Sequence, residues 1–289
     1  MADLDPRVIA LYDRFTHSAM GRREFLAGLA RLTGGVAAAS AVLPLLENNY
    51  AEAATVAGDD ARIRGTRIEY PGEAGPVSGY LAQPSDGDGR RPAVVVIHEN
   101  RGLNPHIEDV ARRLAVDGFL ALAPDGLSRL GGTPADSDKA REMIYALPQD
   151  GARADFLAAV DWLAKQPGSN GKVGCVGFCW GGSMAGQLAV HSPTLAAAVV
   201  YYGSQPAAGD VPGIEAPLLL HYAGLDERIN AGIEPFVAAM KAAGTRYEMH
   251  LYEGVNHAFN NDTNAARYDA AAARLAWGRT VEFLRKNLA

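Results

Sequence analysis

The chain has 289 residues, 48% hydrophobic and 21% charged, enough for one large α/β domain with a sizeable core. Its formal net charge of −6 carries no basic footprint, which argues against a nucleic-acid partner. Two cysteines, Cys175 and Cys179, cannot by themselves build a disulfide framework or a four-ligand metal site.

Residues 4–20 place Leu4, Val8, Leu11, Tyr12 and Phe15 at near-helical spacing and read as an amphipathic helix. Gly21-Arg22-Arg23-Glu24-Phe25-Leu26 follows, then a small, apolar stretch to Leu46 and the run Tyr50-Ala51-Glu52-Ala53-Ala54. A twin arginine, a mildly hydrophobic segment and an Ala-x-Ala site in this order resemble a twin-arginine export signal, implying a periplasmic or secreted protein. The uncharged run 32–46 is too short for a stable membrane span and contains Pro44. Arg31 interrupts the apolar region and the segment before the arginines is long. Both features favour the alternative, a helical arm retained on a cytoplasmic protein and packed on the domain or on a second subunit. The sequence thus divides into an N-terminal helical extension, 1–60, and a domain, 61–289, with a polar linker over 55–62.

Two strands, 63–70 and 77–83, flank a turn-rich connection. The β-branched run 92–97 predicts a strand buried on both faces, ending at His98-Glu99-Asn100-Arg101-Gly102-Leu103-Asn104. A helix over 106–117, a strand over 118–123 ending at Pro124-Asp125, and helices near 136–147 and 150–166 come next. A short β-type run then enters Gly177-x-Cys179-x-Gly181, and a small-residue helix leaves it. That is the strand–turn–helix setting of a nucleophile elbow, with cysteine in the nucleophile position. Small flanking residues are needed because the nucleophile stands on a sharp turn. Strands at 197–202 and 217–222, a helix at 233–243, a strand at 246–252 and a long Ala-rich helix complete the chain. Strands alternating with helices predict an α/β fold, a mostly parallel sheet with helices on both faces.

In an open parallel sheet, functional groups collect beyond the carboxyl ends of the strands. Glu99, Cys179, Asp226 and His257 all stand at such ends, and nucleophile, acid, histidine is the chain order of α/β-hydrolases. Asp226 alone would read as a helix cap and His257 alone as a surface histidine; Gly224-x-Asp226 and Gly254-x-Asn256-His257 in succession favour the catalytic pair. His98 reads as structural support, and Glu99 as either a solvated loop residue or an unusual carboxylate at the mouth of the site. Cys175 reads as a buried core thiol.

Residues 63–288 resemble the dienelactone hydrolase family of α/β-hydrolases. The matching features are Glu99-x-x-Gly102-Leu103-Asn104, Pro124-Asp125, Gly177-Phe178-Cys179-Trp180-Gly181-Gly182, Tyr201-Tyr202-Gly203, Gly224-x-Asp226 and His257-x-Phe259. The resemblance implies a Cys179–His257–Asp226 triad and a Glu99 that pairs with the resting thiol until substrate displaces it. Backbone N–H groups of Trp180 and Asn100 are the expected oxyanion hole, and a lactone or carboxylic ester of the carboxymethylenebutenolidase type the expected substrate. Arg141 matches a family arginine that binds the substrate carboxylate. The second such arginine falls where this chain has Asn260 and Asn261, and Arg101 is a weaker substitute. No cofactor or metal is implied. The competing readings are a general carboxylesterase and a non-catalytic ligand-binding protein on the same scaffold.

Overall fold

The structure, a computed structural model, describes residues 4–50, 54–87 and 89–289. Eight strands form one sheet: β1 (Ile63–Pro71), β2 (Pro76–Pro84), β3 (Arg91–Ile97), β4 (Leu120–Pro124), β5 (Ser169–Phe178), β6 (Ala197–Tyr201), β7 (Leu218–Ala223) and β8 (Tyr247–Tyr252). Their order is β1-β2-β4-β3-β5-β6-β7-β8. Only the β1–β2 and β2–β4 pairings are antiparallel; from β4 to β8 every neighbour is parallel. The expected α/β-hydrolase architecture is therefore the observed one. β3 through β7 are apolar and buried along nearly their whole length because helices cover both faces, so each face carries its own apolar cluster.

The N-terminal segment holds α1 (Pro6–His17), α2 (Arg22–Thr33) and α3 (Val36–Leu46). In the domain, α4 (Pro105–Val116), α5 (Ser137–Ala146), α6 (Gln149–Ala164), α7 (Trp180–His191), α8 (Glu227–Asn230), α9 (Ile233–Ala243) and α10 (Ala270–Leu288) connect or follow the strands. Asn104 caps α4 by accepting from the His106 and Ile107 amides. Gly118, at φ 96°, ends that helix and delays β4 to Leu120, two residues later than the pattern predicts.

The run 32–46 is not continuous helix. Gly34 and Gly35, at φ 85° and 144°, break it, and α2 and α3 meet at 112°. Among the described residues, no single helix is long and apolar enough to cross a membrane. The arm instead has a small core of its own, with Val8, Leu11, Tyr12, Phe15, Phe25 and Leu29 buried together. Arg22, the first of the twin arginines, pairs with Glu47 and with Asp138 of the domain. The expected Ala-x-Ala site, Ala51-Glu52-Ala53, lies outside the described residues. The expected polar linker is pinned at its start, where Asp109 accepts from the amides of Thr55 and Val56.

Candidate active site

The elbow is built by close backbone approach. Cys179 follows β5, precedes α7, and sits at φ 55°, ψ −113°. That is a costly conformation for a residue with a Cβ, held only because the surroundings fix it. A Cβ on Gly177 would strike the Gly181 carbonyl, and one on Gly181 would strike the carbonyls of Ile97 and His98. Gly181 therefore lets the start of α7 pack on the end of β3. This contact brings the Trp180 amide, among the unpaired N–H groups of a helix N-terminus, beside the loop carrying Glu99 and Asn100. His98 locks that loop: its Nδ1–H donates to the Glu99 carbonyl at 2.6 Å and its Nε2 accepts from the Gly126 amide at 3.0 Å. Its ring stacks on Trp180 at 5.3 Å. The supporting role expected of His98 is the one it has.

Asp226 caps α8 and orients His257 at the same time. One carboxylate oxygen accepts from the Ile229 amide at 3.2 Å; the other lies 2.5 Å from His257 Nδ1. With Nδ1 so engaged, His257 turns Nε2 toward the cysteine. That Nε2 is buried, has no hydrogen-bond partner among the described residues, and lies within 4.8 Å of Cys179 Sγ. Burial alone would raise the Cys179 thiol, but the neighbouring imidazoles of His17 and His257 outweigh it and bring the pKa down to about 6. Burial would lower His257; the thiolate of Cys179 and the carboxylate of Asp226 push it up to about 10. Both shifts favour a thiolate beside an imidazolium. Burial drives Cys175 the other way, up to about 12, leaving it an unreactive thiol of the core.

Sequence reasoning missed His17. The last residue of α1 places Nε2 3.2 Å from Cys179 Sγ, and its ring meets that of His257 edge-on at 4.5 Å. Glu99 does not hold the thiol here, as the resemblance implied; His17 does. Glu99 Oε2 instead accepts from Asn261 Nδ2 at 2.7 Å. Asn261 stands where a second carboxylate-binding arginine was expected, and its amide draws Glu99 aside. A signal for His17 existed in the sequence: Asp13 and His17 lie four apart on one helix face, as paired side chains do.

The arm occupies the other expected substrate contacts as well. Arg141 donates to the Phe15 carbonyl and lies 4.3 Å over the Phe15 ring. Asn100 Nδ2 and the Tyr145 hydroxyl donate to the Thr16 carbonyl at 2.8 and 3.1 Å. Arg101 borders the same cavity, but its guanidinium donates to the Tyr12 hydroxyl and Ser137. Beneath this cover the cavity lined by Cys179, His257, His17, Glu99 and Asn100 measures about 10 Å³, room for one water at most.

The dienelactone hydrolase family model matches residues 77–288, and a second model, YqhI-like, matches residues 1–36. A protein of Escherichia coli O157:H7 named "Putative carboxymethylenebutenolidase" is 34% identical over 246 residues, covering 79% of this chain and 89% of its own. An Escherichia coli K12 protein named "Putative hydrolase fragment YghX" is 54% identical over 107 residues, 36% of this chain and 92% of its own. Among solved structures, a Klebsiella pneumoniae protein described as a "Putative Dienelactone Hydrolase" superposes with a TM-score of 0.72 at 29% identity, covering 78% of this chain and 99% of that one.

Proposed function

The chain belongs to the dienelactone hydrolase family, and from that premise we propose that it cleaves a lactone or carboxylic ester through Cys179, with His257 and Asp226 completing the triad. The observation that carries this reading is the strained Cys179 at the head of α7, facing a histidine whose far nitrogen is 2.5 Å from a buried carboxylate. The thiolate attacks the carbonyl carbon, a C–S bond forms, and the carbonyl electron pair moves onto oxygen. The amides of Trp180 and Asn100 receive that oxyanion; each such donor contributes about 3 kcal/mol in the transition state. Collapse expels the alkoxide, which takes a proton from His257 Nε2. Water, deprotonated by His257, then cleaves the thioester and returns the thiolate.

Room for one water is not room for an ester, so turnover requires α1 to lift from the site. Lifting withdraws His17 from the thiol and Phe15 from Arg141. A freed Arg141 guanidinium suits a substrate with a carboxylate, as in the butenolide acids after which the curated relatives are named. We therefore take the arm to be a retained part of the protein, whichever compartment holds it. Intact mass of protein isolated from its own cells tests that point, since loss of the first 53 residues would overturn it.

Turnover of p-nitrophenyl esters and of lactones with and without a carboxylate is the test of function. Cys179→Ala should abolish it. Full activity in that variant would refute the nucleophile assignment, and no turnover of any ester by the wild type would favour a non-catalytic binding protein.

A further inference from the structure

We propose that, with the arm closed, Cys179, His17 and His257 form a zinc site. Their three donor atoms, Sγ, Nε2 and Nε2, all lie within 4.8 Å of one another. They arrive from three separate parts of the chain: the elbow, the end of α1 and the loop after β8. A tetrahedral zinc with Zn–S about 2.3 Å and Zn–N about 2.0 Å holds sulfur and nitrogen about 3.5 Å apart. His17 Nε2 and Cys179 Sγ are already at 3.2 Å.

Two further observations point to a cation rather than to chance proximity. The first is the orphaned His257 Nε2, fully enclosed and aimed into the cluster with no partner of its own among the described residues. The second is the support behind each ring. His257 Nδ1 is held by the Asp226 carboxylate at 2.5 Å, while His17 Nδ1 lies 2.8 Å from the Asp13 carbonyl and 3.1 Å from its carboxylate. Two imidazoles whose Nδ1–H groups face carboxylates, and whose Nε2 atoms converge on a thiolate, match the outer-shell arrangement of protein zinc sites. Thiolate with two imidazoles is a donor set that suits zinc and disfavours magnesium or calcium.

The zinc ion would take both the nucleophile and the base, and would tie α1 to the domain through His17. A chain loaded with zinc is thus inactive and closed, and a chelator reopens it. Binding stands on the geometry above; the inhibition rests on the triad reading.

The test uses the full chain. Zinc affinity is measured by competition with a chromogenic chelator, and cobalt substitution reports the thiolate through its ultraviolet charge-transfer band. Expected are one equivalent of zinc per chain, a cobalt–thiolate band, and loss of both in Cys179→Ala. His17→Ala should weaken zinc at least 100-fold, and Asp13→Asn, which keeps all three ligands, by about 10- to 100-fold. Wild-type affinity in both the His17 and Asp13 variants would overturn the site. A chain that hydrolyses esters but binds no zinc sinks this inference and leaves the triad. A chain that binds zinc through these residues while its Cys179→Ala form still turns over esters sinks the triad and leaves the site.

Discussion

Phe15→Ala is the sharpest probe of the cover over the nucleophile. The Phe15 ring is 1% exposed, stacks on Phe25 at 4.5 Å, and supports the Arg141 guanidinium on its other side. Removing a ring packed in this way costs about 3–5 kcal/mol. The loss falls on the arm's own small core and on its docking, because Phe15 belongs to neither apolar cluster of the sheet. Each 1.4 kcal/mol is a tenfold change in an equilibrium, so the lifted population should rise about 100- to 4,000-fold, up to the point where the arm is mostly open. The assay is alkylation by iodoacetamide at fixed pH. Only Cys179 should react, since Cys175 is fully buried and its thiol is pushed up to about 12. The expected result is a second-order rate at least 100-fold above wild type, with the sheet domain's melting transition little changed. An unchanged rate in a variant whose arm has demonstrably loosened would refute the idea that α1 shields the thiol.

Asp226→Asn should keep the hydrogen-bonded geometry while presenting the wrong His257 tautomer, lowering kcat by roughly 1,000- to 10,000-fold with little change in KM. Titrating the ultraviolet thiolate band, with Cys179→Ala as the blank, should give a midpoint near pH 6. The thiolate is present above that pH and lost as pH falls through it, and replacing His17 should move the midpoint upward by removing one neighbouring imidazole. Gly181→Ala should destabilise the domain by about 3 kcal/mol, read by thermal denaturation, because its Cβ would lie closer than 3.0 Å to the backbone carbonyls of Ile97 and His98, which cannot move aside.

The parts of this molecule most legible in the sequence are those fixed by local pattern. The β-branched run of β3 and the glycines around Cys179 follow from periodicity and sterics, while the acid and histidine after β7 and β8, ambiguous singly, take their reading from their order along the chain. Together they specify the sheet and place Cys179, Asp226 and His257 at its carboxyl edge. What escaped is what depends on docking across long separations. The spacing of Val8, Leu11, Tyr12 and Phe15 says that α1 buries one face, but not that the face lies over an elbow about 160 residues away. The apolar run 32–46 reads as one segment unless the conformational freedom of Gly34-Gly35 is used to break it. Glu99 was placed at the right strand end, yet its partner depended on a single amide, Asn261, where a family pattern suggested an arginine.

The arm's attachments also set an order of events during synthesis. Asn264 Nδ2 donates to the Leu46 carbonyl, the Ala266 amide to the Leu45 carbonyl, the Asn49 amide to the Thr263 carbonyl, and Arg267 lies 4.9 Å over the Tyr12 ring. These contacts join residues 12–49 to a segment made more than 200 residues later. Contacts of such sequence separation form late. The helices made first must therefore wait for these anchors while the sheet assembles behind them. The contacts of Phe15 and Thr16 with Arg141, Asn100 and Tyr145 need only earlier residues, so the nascent elbow gains its cover in two stages, the second only when residues 263–267 have emerged.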